Sequence, residues 1–394
     1  MRAMSTIVEV ELVEFDHEVV YRYSGSGRPL AGTGARTRTT RRFGIRIRTR
    51  DGVEGAYVVL WSAPPHAVSQ VKAMASGLLG LDLFERERIW DANNNTFAKT
   101  DRIGAGAVDI ALWDAAGKAT GLPVSALLGS YRTRLPVYAS TVNGGLGLGS
   151  LADPASYQDF AATCAGAGLP AFKVHAPPTG SVRDEIDCLL AAAEGAAGRM
   201  AVMTDPTKSL RTLTDALALG RVCDDIGAYW WEDPMRDNAP FGHRILRERI
   251  RTPLLLTELV RGLDMRMAVA LAGGTDILRA DPELDMGITG VMKSAHAAES
   301  IGLDLELHAS GPAQRHCMAA IRNSNFYELG LLDPETGNTL HPPVYLDDDY
   351  TEDLSAVGTD GCVAVPTGPG LGVTYDWDRI YAQRSDRTLF RAKG

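Results

Sequence analysis

Hydrophobic alternation near the N terminus predicts β-strands over residues 5–15 and 41–61. Apolar side chains alternate with acidic ones in the first segment and with basic ones in the second, where the sequence reads FGIRIRT. This period of two is typical of strands with one buried face. Residues 66–130 follow a helical period instead, and AGAVDIALWDAAGKATG ends at a Gly-Leu-Pro stop. Residues 1–130 are therefore predicted to form an α+β domain.

A second pattern begins near residue 135, where short apolar runs rich in β-forming residues alternate with Ala-rich helical runs. Strand–helix alternation predicts right-handed βαβ crossovers and a parallel sheet. Eight such runs fit a closed barrel, so we expect an α/β fold with a modified TIM-type (β/α)7β barrel over residues 131–350. The predicted strands cover residues 135–141, 170–175, 200–205, 228–233, 253–258, 276–281, 303–308 and 325–330.

Three further segments lie outside these patterns. A Gly- and Ser-rich stretch at about residues 16–36 separates the N-terminal strands, and its length predicts either disorder or a functional flap. The basic run of residues 36–42, RTRTTRR, is interpreted as a charged edge strand rather than as an RNA- or membrane-binding patch. Residues 351–394 are Asp-rich and then Gly- and Pro-rich, and we expect them to form a strap that packs on the N-terminal domain.

Composition and charge narrow the classes of function. The formal charge of −9 over 394 residues argues against a nucleic-acid partner, which would need a basic face. Five cysteines without a CxxC pair argue against a disulfide framework or a thiolate zinc site, and they favour a cytoplasmic protein. No apolar run approaches about 20 residues, so we expect no membrane-spanning segment. The first residues do not resemble a signal peptide.

Ionisable side chains end seven of the predicted strands. They are Lys173, Asp205, Glu232, Glu258, Asp281, His308 and Glu328, at intervals of 20 to 32 residues. This spacing matches one strand, one loop and one helix per step. In a parallel barrel the carboxyl ends of the strands meet at one face, where the active sites of such barrels lie. The set therefore predicts a functional site.

Three consecutive predicted strands end in carboxylates, namely Asp205, Glu232 and Glu258. Three such groups brought together without counter-charge would repel one another. Salt bridges are one solution, but Lys173 and Lys208 are too few to neutralise the set. A metal ion is the other solution, and all-oxygen ligation favours Mg²⁺ over Zn²⁺. We therefore expect Mg²⁺ as the cofactor.

Acid–base candidates lie on both sides of the expected metal. A hydrogen bond between Asp281 and His308, at the ends of neighbouring strands, would orient the imidazole and raise its basicity. Lys173 and His175 share one face of their strand, and Lys173 acts either as a base or as a cation that holds a carboxylate. Glu328 either hydrogen-bonds the substrate carboxylate when protonated or forms a structural ion pair. The arrangement suits removal of a proton α to a carboxylate.

Taken in order, these residues resemble the mandelate racemase branch of the enolase superfamily over nearly the whole chain. VDIALWDAAGKATGLPVSALLG is similar to the helix before the barrel in that family, and AFKVHA stands at its Lys-x-Lys pair. VMTDPTKSL, YWWEDPM and LLLTEL stand at its metal ligands, and RADPELDMGITGVMKSAHAAESIG and LELH stand at its Asp–His dyad. The resemblance implies a capping domain over the barrel, an enediolate intermediate and a homo-oligomer.

The resemblance also implies a role for each matched residue. The metal ligands are Asp205, Glu232 and Glu258, the acid–base groups are Lys173, His175, Asp281 and His308, and the carboxylate-polarising residue is Glu328. The segment at residues 16–36 matches a loop that closes over substrate, and the candidate substrate contacts are His17, Tyr21, Trp61 and His66. Two positions depart from the branch. His175 replaces the second Lys and serves either as a proton shuttle or as a contact for a substrate hydroxyl, and Thr207 stands where Asn is frequent.

Dehydration of a sugar acid to a 2-keto-3-deoxy acid is the leading hypothesis, with His308 protonating the departing hydroxyl. It rests on analogy with relatives that share the dyad and on the polar, Arg- and Ser-containing flap. The alternative is a racemase, epimerase or cycloisomerase that acts on a hydroxy acid or sugar-acid lactone through the same intermediate. A non-catalytic barrel protein is the remote alternative, because the complete set of ligands and bases argues against it.

Overall fold

The computed structural model describes ten stretches of the chain. They are residues 5–21, 36–60, 65–144, 150–177, 179, 181–236, 240–338, 341–342, 344–346 and 350–392, without the side chains of residues 19–21, 36–38 and 240. Within them an antiparallel sheet with its helices lies against a parallel barrel. Among the helices so described, none combines the length and the apolar character that crossing a membrane requires.

The N-terminal sheet is built from β1 (Ile7–Tyr21), β2 (Arg36–Thr49) and β3 (Glu54–Val58). The last strand of the chain, β14 (Arg384–Arg391), pairs antiparallel with the outer edge of β1. The alternation in FGIRIRT has the predicted effect, because the two isoleucines are buried while Arg46 and Arg48, which alternate with them, form ion pairs with Glu54. The helices that follow are α1 (Pro65–Leu78), α2 (Arg86–Thr96), α3 (Gly104–Thr120) and α4 (Val124–Leu128).

Three sequence expectations for this sheet need correction. The predicted strand over residues 41–61 is two strands, because Asp51 and Gly52 form a tight turn in which Gly52 has a φ of +88°. The strands that flank the predicted flap are longer than expected, since Tyr21 pairs with Arg36. The flap is correspondingly shorter, and its remainder, residues 22–35, lies outside the described residues. The basic run of residues 36–42 is the first half of β2.

In the described part of the chain, eight parallel strands alternate with seven helices, which confirms the predicted (β/α)7β barrel. The strands are β4 (Arg134–Thr141), β5 (Ala171–Val174), β6 (Ala201–Thr204), β7 (Trp231–Glu232), β8 (Leu254–Leu256), β9 (Ile277–Ala280), β10 (Asp304–Leu307) and β11 (Tyr327–Asp333). The helices are α5 (Pro154–Gly166), α6 (Val182–Ala196), α7 (Leu213–Ile226), α8 (Pro240–Arg249), α9 (Leu263–Leu271), α10 (Gly287–Ser300) and α11 (Pro312–Ala320).

Strand pairing runs continuously from β10 through β4 to β11. Hydrogen bonds join the remaining edge: the Ala309 N–H donates to Glu328, and the Ser310 hydroxyl donates to the Gly330 carbonyl. The carboxyl ends of the strands therefore form a ring. Every strand-end residue that the sequence singled out lies on or within two residues of its strand.

The C-terminal segment contacts both parts of the molecule. After the short β12 (Gly337–Asn338) and a 3₁₀ turn, β13 (Cys362–Ala364) pairs antiparallel with β4 of the barrel. Then α12 (Trp377–Ala382) leads into β14, which completes the N-terminal sheet. The segment was expected to pack on the N-terminal domain, and β13 shows that it also extends the barrel sheet. The boundaries at residues 130 and 350 stay predictions.

Candidate active site

Three neighbouring barrel strands bring Asp205, Glu232 and Glu258 together at their carboxyl ends. One oxygen atom from each carboxylate lies within 4.8 Å of the others. Asp205 and Glu232 are buried, and Glu258 is half-buried. Carboxylates this close repel one another unless positive charge compensates them. An all-oxygen set of three fits a hard divalent cation and leaves coordination positions for substrate.

Two buried cations lie against this carboxylate cluster. Lys173 Nζ is 2.7 Å from Glu232 Oε2 and 3.0 Å from Glu328 Oε1. Arg279 Nε is 2.8 Å from Glu232 Oε1, and its Nη2 is 2.6 Å from Glu328 Oε2. Each carboxylate therefore bridges both cations through different oxygen atoms. We call Lys173, Glu232, Arg279 and Glu328 the four-charge ring.

Arg279 is the residue that sequence reasoning missed. The count of counter-charges included Lys173 and Lys208 only, and it was too low. A signal was present in the sequence, because Arg279 precedes Asp281 by two positions on a strand and so shares its face. Arg279 is fully buried and also donates a hydrogen bond of 2.7 Å to the Tyr138 hydroxyl.

The surroundings of Glu328 favour its ionised form. Burial by itself would raise its pKa, but Arg279 and Lys173 outweigh burial and hold that pKa well below its usual range. The Ala309 N–H adds a third donor, at 2.7 Å from Oε2. Of the two roles considered from the sequence, these contacts favour the structural ion pair over the protonated hydrogen-bond donor.

The surroundings of Lys173 favour its charged ammonium form. Burial lowers the pKa of this amine, but Glu232 and Glu328 outweigh burial and raise the pKa well above its usual value. The ammonium also lies 5.2 Å from the centre of the Tyr138 ring, where a cation is attracted to the aromatic face. These contacts favour a cation that holds carboxylates over a general base.

His308 is held by Asp281, as the sequence suggested. Its Nδ1 lies 2.6 Å from Asp281 Oδ2, and its Nε2 lies 3.9 Å from Glu258 Oε1. Burial alone would lower the pKa of this imidazole, but Glu258 and Asp281 outweigh burial and raise the pKa to about 9. The ring is therefore suited to carry a proton at neutral pH, with Nε2 on the side of the carboxylate cluster.

His175 is held by a neutral group instead. Its Nδ1 lies 2.7 Å from the backbone carbonyl oxygen of Thr141, and its Nε2 lies 3.1 Å from Asp205 Oδ2. A carbonyl oxygen can only accept, so the Nδ1 atom carries a proton. The Asp205 carboxylate can also only accept, so its contact with Nε2 is a hydrogen bond when that atom carries a proton as well. When Nε2 gives up its proton, the lone pair lies on Nε2, on the side of the carboxylate cluster. In both histidines, Nε2 is therefore the ring atom that faces the carboxylate cluster.

Backbone strain marks the same end of the barrel. Residues that follow strands β6, β7, β8 and β10 have positive φ angles although they are not glycine. They are Thr207 (+49°), Lys208 (+63°), Asp233 (+41°), Thr257 (+89°) and Ala309 (+66°). Such conformations are costly and concentrate at functional sites. At Thr207, the departure noted in the sequence, the backbone N–H donates to Asp205 Oδ1 at 2.7 Å.

Family models match both parts of the chain. Residues 24–129 match the mandelate racemase / muconate lactonizing enzyme N-terminal domain, and residues 156–379 match the enolase C-terminal domain-like family. The chain belongs to the enolase superfamily, in its mandelate racemase branch. The resemblance inferred from the motifs is confirmed.

Individual members of the enolase superfamily align over most of the chain. A 3,6-anhydro-α-L-galactonate cycloisomerase of Streptomyces coelicolor is 28% identical over 85% of this chain and 89% of its own. An L-talarate/galactarate dehydratase of Salmonella typhimurium is 27% identical over 70% of this chain and 69% of its own. The crystal structure of a D-glucarate dehydratase from Agrobacterium tumefaciens, complexed with magnesium, has a TM-score of 0.83 at 28% identity, covering 97% and 100% of the two chains.

The four substrate contacts taken from the enolase-superfamily resemblance remain predictions. His17 is half-buried on β1, where burial and then Arg42 and Arg379 lower its pKa to about 4. The Tyr21 side chain and Trp61 lie outside the described residues. His66 is exposed at the start of α1.

Proposed function

We propose that the protein is a Mg²⁺-dependent dehydratase of sugar acids that removes a proton α to a carboxylate. Relatives named as dehydratases of galactarate, rhamnonate and arabinonate support this class of reaction. The observation that carries the proposal is the pair of imidazoles that face the carboxylate cluster through Nε2. Dehydration needs a base for the α-proton and an acid for the departing hydroxyl, and two imidazoles at the cluster supply one group for each role.

Asp205, Glu232 and Glu258 would hold the Mg²⁺ ion. When bound, the ion supplies positive charge that stabilises the enediolate form of the substrate carboxylate. The chemistry of the three ligands fits this ion, and the D-glucarate dehydratase structure contains magnesium. Lys173 and Arg279 hold Glu232 and Glu328 in position through the ion pairs of the four-charge ring.

The two imidazoles divide the proton transfers between them. The lone pair on His175 Nε2 takes the α-proton, while the Thr141 carbonyl holds the proton on Nδ1. The His308 imidazolium then gives its Nε2 proton to the β-hydroxyl, whose C–O bond breaks so that the group leaves as water. The enol product tautomerises to a 2-keto-3-deoxy acid. One proton gained by His175 and one lost by His308 balance the cycle through solvent.

The second candidate is a racemase, epimerase or cycloisomerase that uses the same intermediate. It is favoured by two relatives named as cycloisomerases of galactonate- and galactarate-derived substrates. In this reaction a proton returns to carbon, and no hydroxyl leaves as water. The same two imidazoles suffice for it.

A substrate screen tests the proposal. The purified protein with Mg²⁺ is incubated with a library of mono- and diacid sugars, and 2-keto acids are detected with semicarbazide. We expect at least one hit that EDTA abolishes and added Mg²⁺ restores. Exchange of the α-proton in deuterated water without release of water would support the second candidate instead. Neither 2-keto acid nor α-exchange with any library member would contradict both candidates.

We also propose a cytoplasmic homo-oligomer. The described cysteines are free and most of them are buried, as expected for a reducing compartment. The exposed strand β14 at the edge of the capping sheet offers a surface for a second copy. Light scattering on the purified protein tests the assembly, and a mass of 42.3 kDa, that of one chain, would contradict it.

A further inference from the structure

Glu283 connects the catalytic dyad to the capping domain through two short hydrogen bonds. Its Oε1 accepts from the Tyr57 hydroxyl and from the Leu60 backbone N–H, each at 2.6 Å. All three residues are buried to within about one per cent of full burial. Tyr57 belongs to β3, and Leu60 is the last residue before the segment that contains Trp61. One barrel carboxylate therefore holds β3 and the residue Leu60 that follows it.

The backbone of Glu283 also holds the dyad. Its N–H donates to Asp281 Oδ1 at 2.7 Å, while Asp281 Oδ2 holds His308. From the barrel side, Asp285 accepts the Asp281 N–H at 2.8 Å and pairs with Arg266 at 2.7 Å. The turn of residues 281–285, the dyad turn, is thus fixed by the barrel at one end and by the capping domain at Glu283.

Close packing leaves this turn little room to move on its own. A Cβ atom at Gly106 of α3 would lie 2.3 Å from the Glu283 carbonyl oxygen, so the helix backbone touches the turn directly. The Leu60 side chain packs on the loop that follows β10: a Cβ atom at Gly311 would lie 2.8 Å from Leu60 Cδ1. Leu60 therefore contacts the peptide chain beyond His308 as well as Glu283.

We infer that Glu283 is a positioning residue that orients the Asp281–His308 dyad and the capping-domain residues Tyr57 and Leu60 as one unit. The inference rests on the proposed function for its kinetic consequence, but not for its structural one. If Leu60 shifts, Glu283 follows, and the hydrogen bond from its N–H to Asp281 changes with it. The position of Leu60 thereby controls the orientation of the His308 imidazole as proton donor. In the proposed reaction this proton transfer follows removal of the α-proton.

Glu283→Ala is the main variant, and Asp109→Ala is its matched control. Asp109 is also a buried carboxylate that joins the capping domain to the barrel, and it accepts from the Thr289 N–H and hydroxyl at 2.9 and 2.7 Å without contacting the dyad. Tyr57→Phe removes one of the two donors and keeps the fold testable if Glu283→Ala does not fold. Glu283→Gln retains an oxygen that can accept both hydrogen bonds.

Two readouts separate the inference from the proposed function. Amide hydrogen exchange of the metal-free protein should show faster exchange both at Leu60 and in the dyad turn for Glu283→Ala, and at neither place for Asp109→Ala. With a sugar acid that is turned over, water loss in Glu283→Ala should fall about 10- to 100-fold while α-proton exchange falls less. Tyr57→Phe should change both readouts in the same direction but less, and Glu283→Gln should stay near the wild type.

Some outcomes would overturn the inference. Unchanged exchange at Leu60 in Glu283→Ala, or equal losses of water release and α-exchange in Glu283→Ala and Asp109→Ala, would show a merely structural role. If no sugar acid is turned over by the wild type while the coupled hydrogen exchange is observed, the proposed function fails and the connection through Glu283 stands.

Discussion

The two imidazoles at the carboxylate cluster differ in the partner that holds Nδ1. For His308 this partner is the Asp281 carboxylate at 2.6 Å, and for His175 it is the Thr141 carbonyl at 2.7 Å. A carboxylate stabilises an imidazolium through its charge, whereas a carbonyl fixes the tautomer and adds no charge. In the proposed dehydration we therefore assign the acid role to His308 and the base role to His175.

The groups beside the two rings extend this contrast. His175 shares a strand face with Lys173, whose ammonium belongs to the four-charge ring. His308 is held by Asp281, whose loop also contains Glu283 and its connection to the capping domain. The base side is therefore fixed by buried ion pairs inside the barrel, and the acid side is fixed partly from outside the barrel.

His308→Asn should produce the largest effect. Without the acid, water loss should fall by about 10³-fold or more, while Mg²⁺ binding persists because His308 is not among the three carboxylate ligands. The measurement is 2-keto acid formation together with a Mg²⁺ titration by calorimetry. His296→Asn, at an exposed position of α10, serves as the control. Activity close to that of the wild type would refute the role of His308.

His175→Asn should have the next largest effect, a loss of about 10²-fold in α-proton exchange. Some exchange should persist, because the neutral fraction of His308 can act as a slow base. The measurement is deuterium incorporation at the α-carbon. If exchange persists fully in His175→Asn but is lost in His308→Asn, the base is His308 and the assignment of the two rings has to be reversed.

Arg279→Lys should weaken Mg²⁺ binding by about 10-fold. Lysine keeps the charge but lacks the planar fork that contacts Glu232 and Glu328 at once, so Glu232 loses its fixed orientation. Calorimetric titration of the variant with Mg²⁺ measures this without any substrate. Arg247→Lys, which alters an ion pair with Asp276 on the barrel surface, is the control. An unchanged titration for Arg279→Lys would show that the four-charge ring does not contribute to Mg²⁺ binding.

Much of this fold could be predicted from sequence because its signals are local. Strand–helix alternation identified all eight barrel strands to within about three residues at most ends, and strand-end residues then had to converge on one face. The errors in the capping sheet are errors of turns and strand ends. Asp51-Gly52 is a turn signal that was passed over, and pairing between Tyr21 and Arg36 depends on contacts across the sheet.

Residue type and position in the sequence indicated which residues lie at the candidate site, but not which of them carry a proton. Residue type and spacing suggested the three carboxylates and both imidazoles. The state of Glu328 depends on Arg279, which reaches it across the barrel and is 49 residues away in sequence. The tautomer of His175 depends on a backbone carbonyl, which no side-chain motif encodes. Glu283 was not singled out either, since its partners are a tyrosine and a backbone amide of another domain.

The smallest predicted effect concerns stability, and it tests the acid side of the comparison directly. The pKa of His308 is raised from 6.5 to about 9 in the folded protein, so the folded state binds this proton more tightly than the unfolded state. The resulting stabilisation is fully present below pH 6.5 and is lost as the pH rises through 9. Relative to His308→Asn, the metal-free wild type should lose about 1–3 kcal/mol of unfolding free energy across this window. Urea unfolding in EDTA at several pH values measures the difference. Bound Mg²⁺ should reduce this pH-dependent difference in unfolding free energy, because the ion offsets the Glu258 charge. Parallel pH profiles for the two proteins would mean that His308 is not held as an imidazolium.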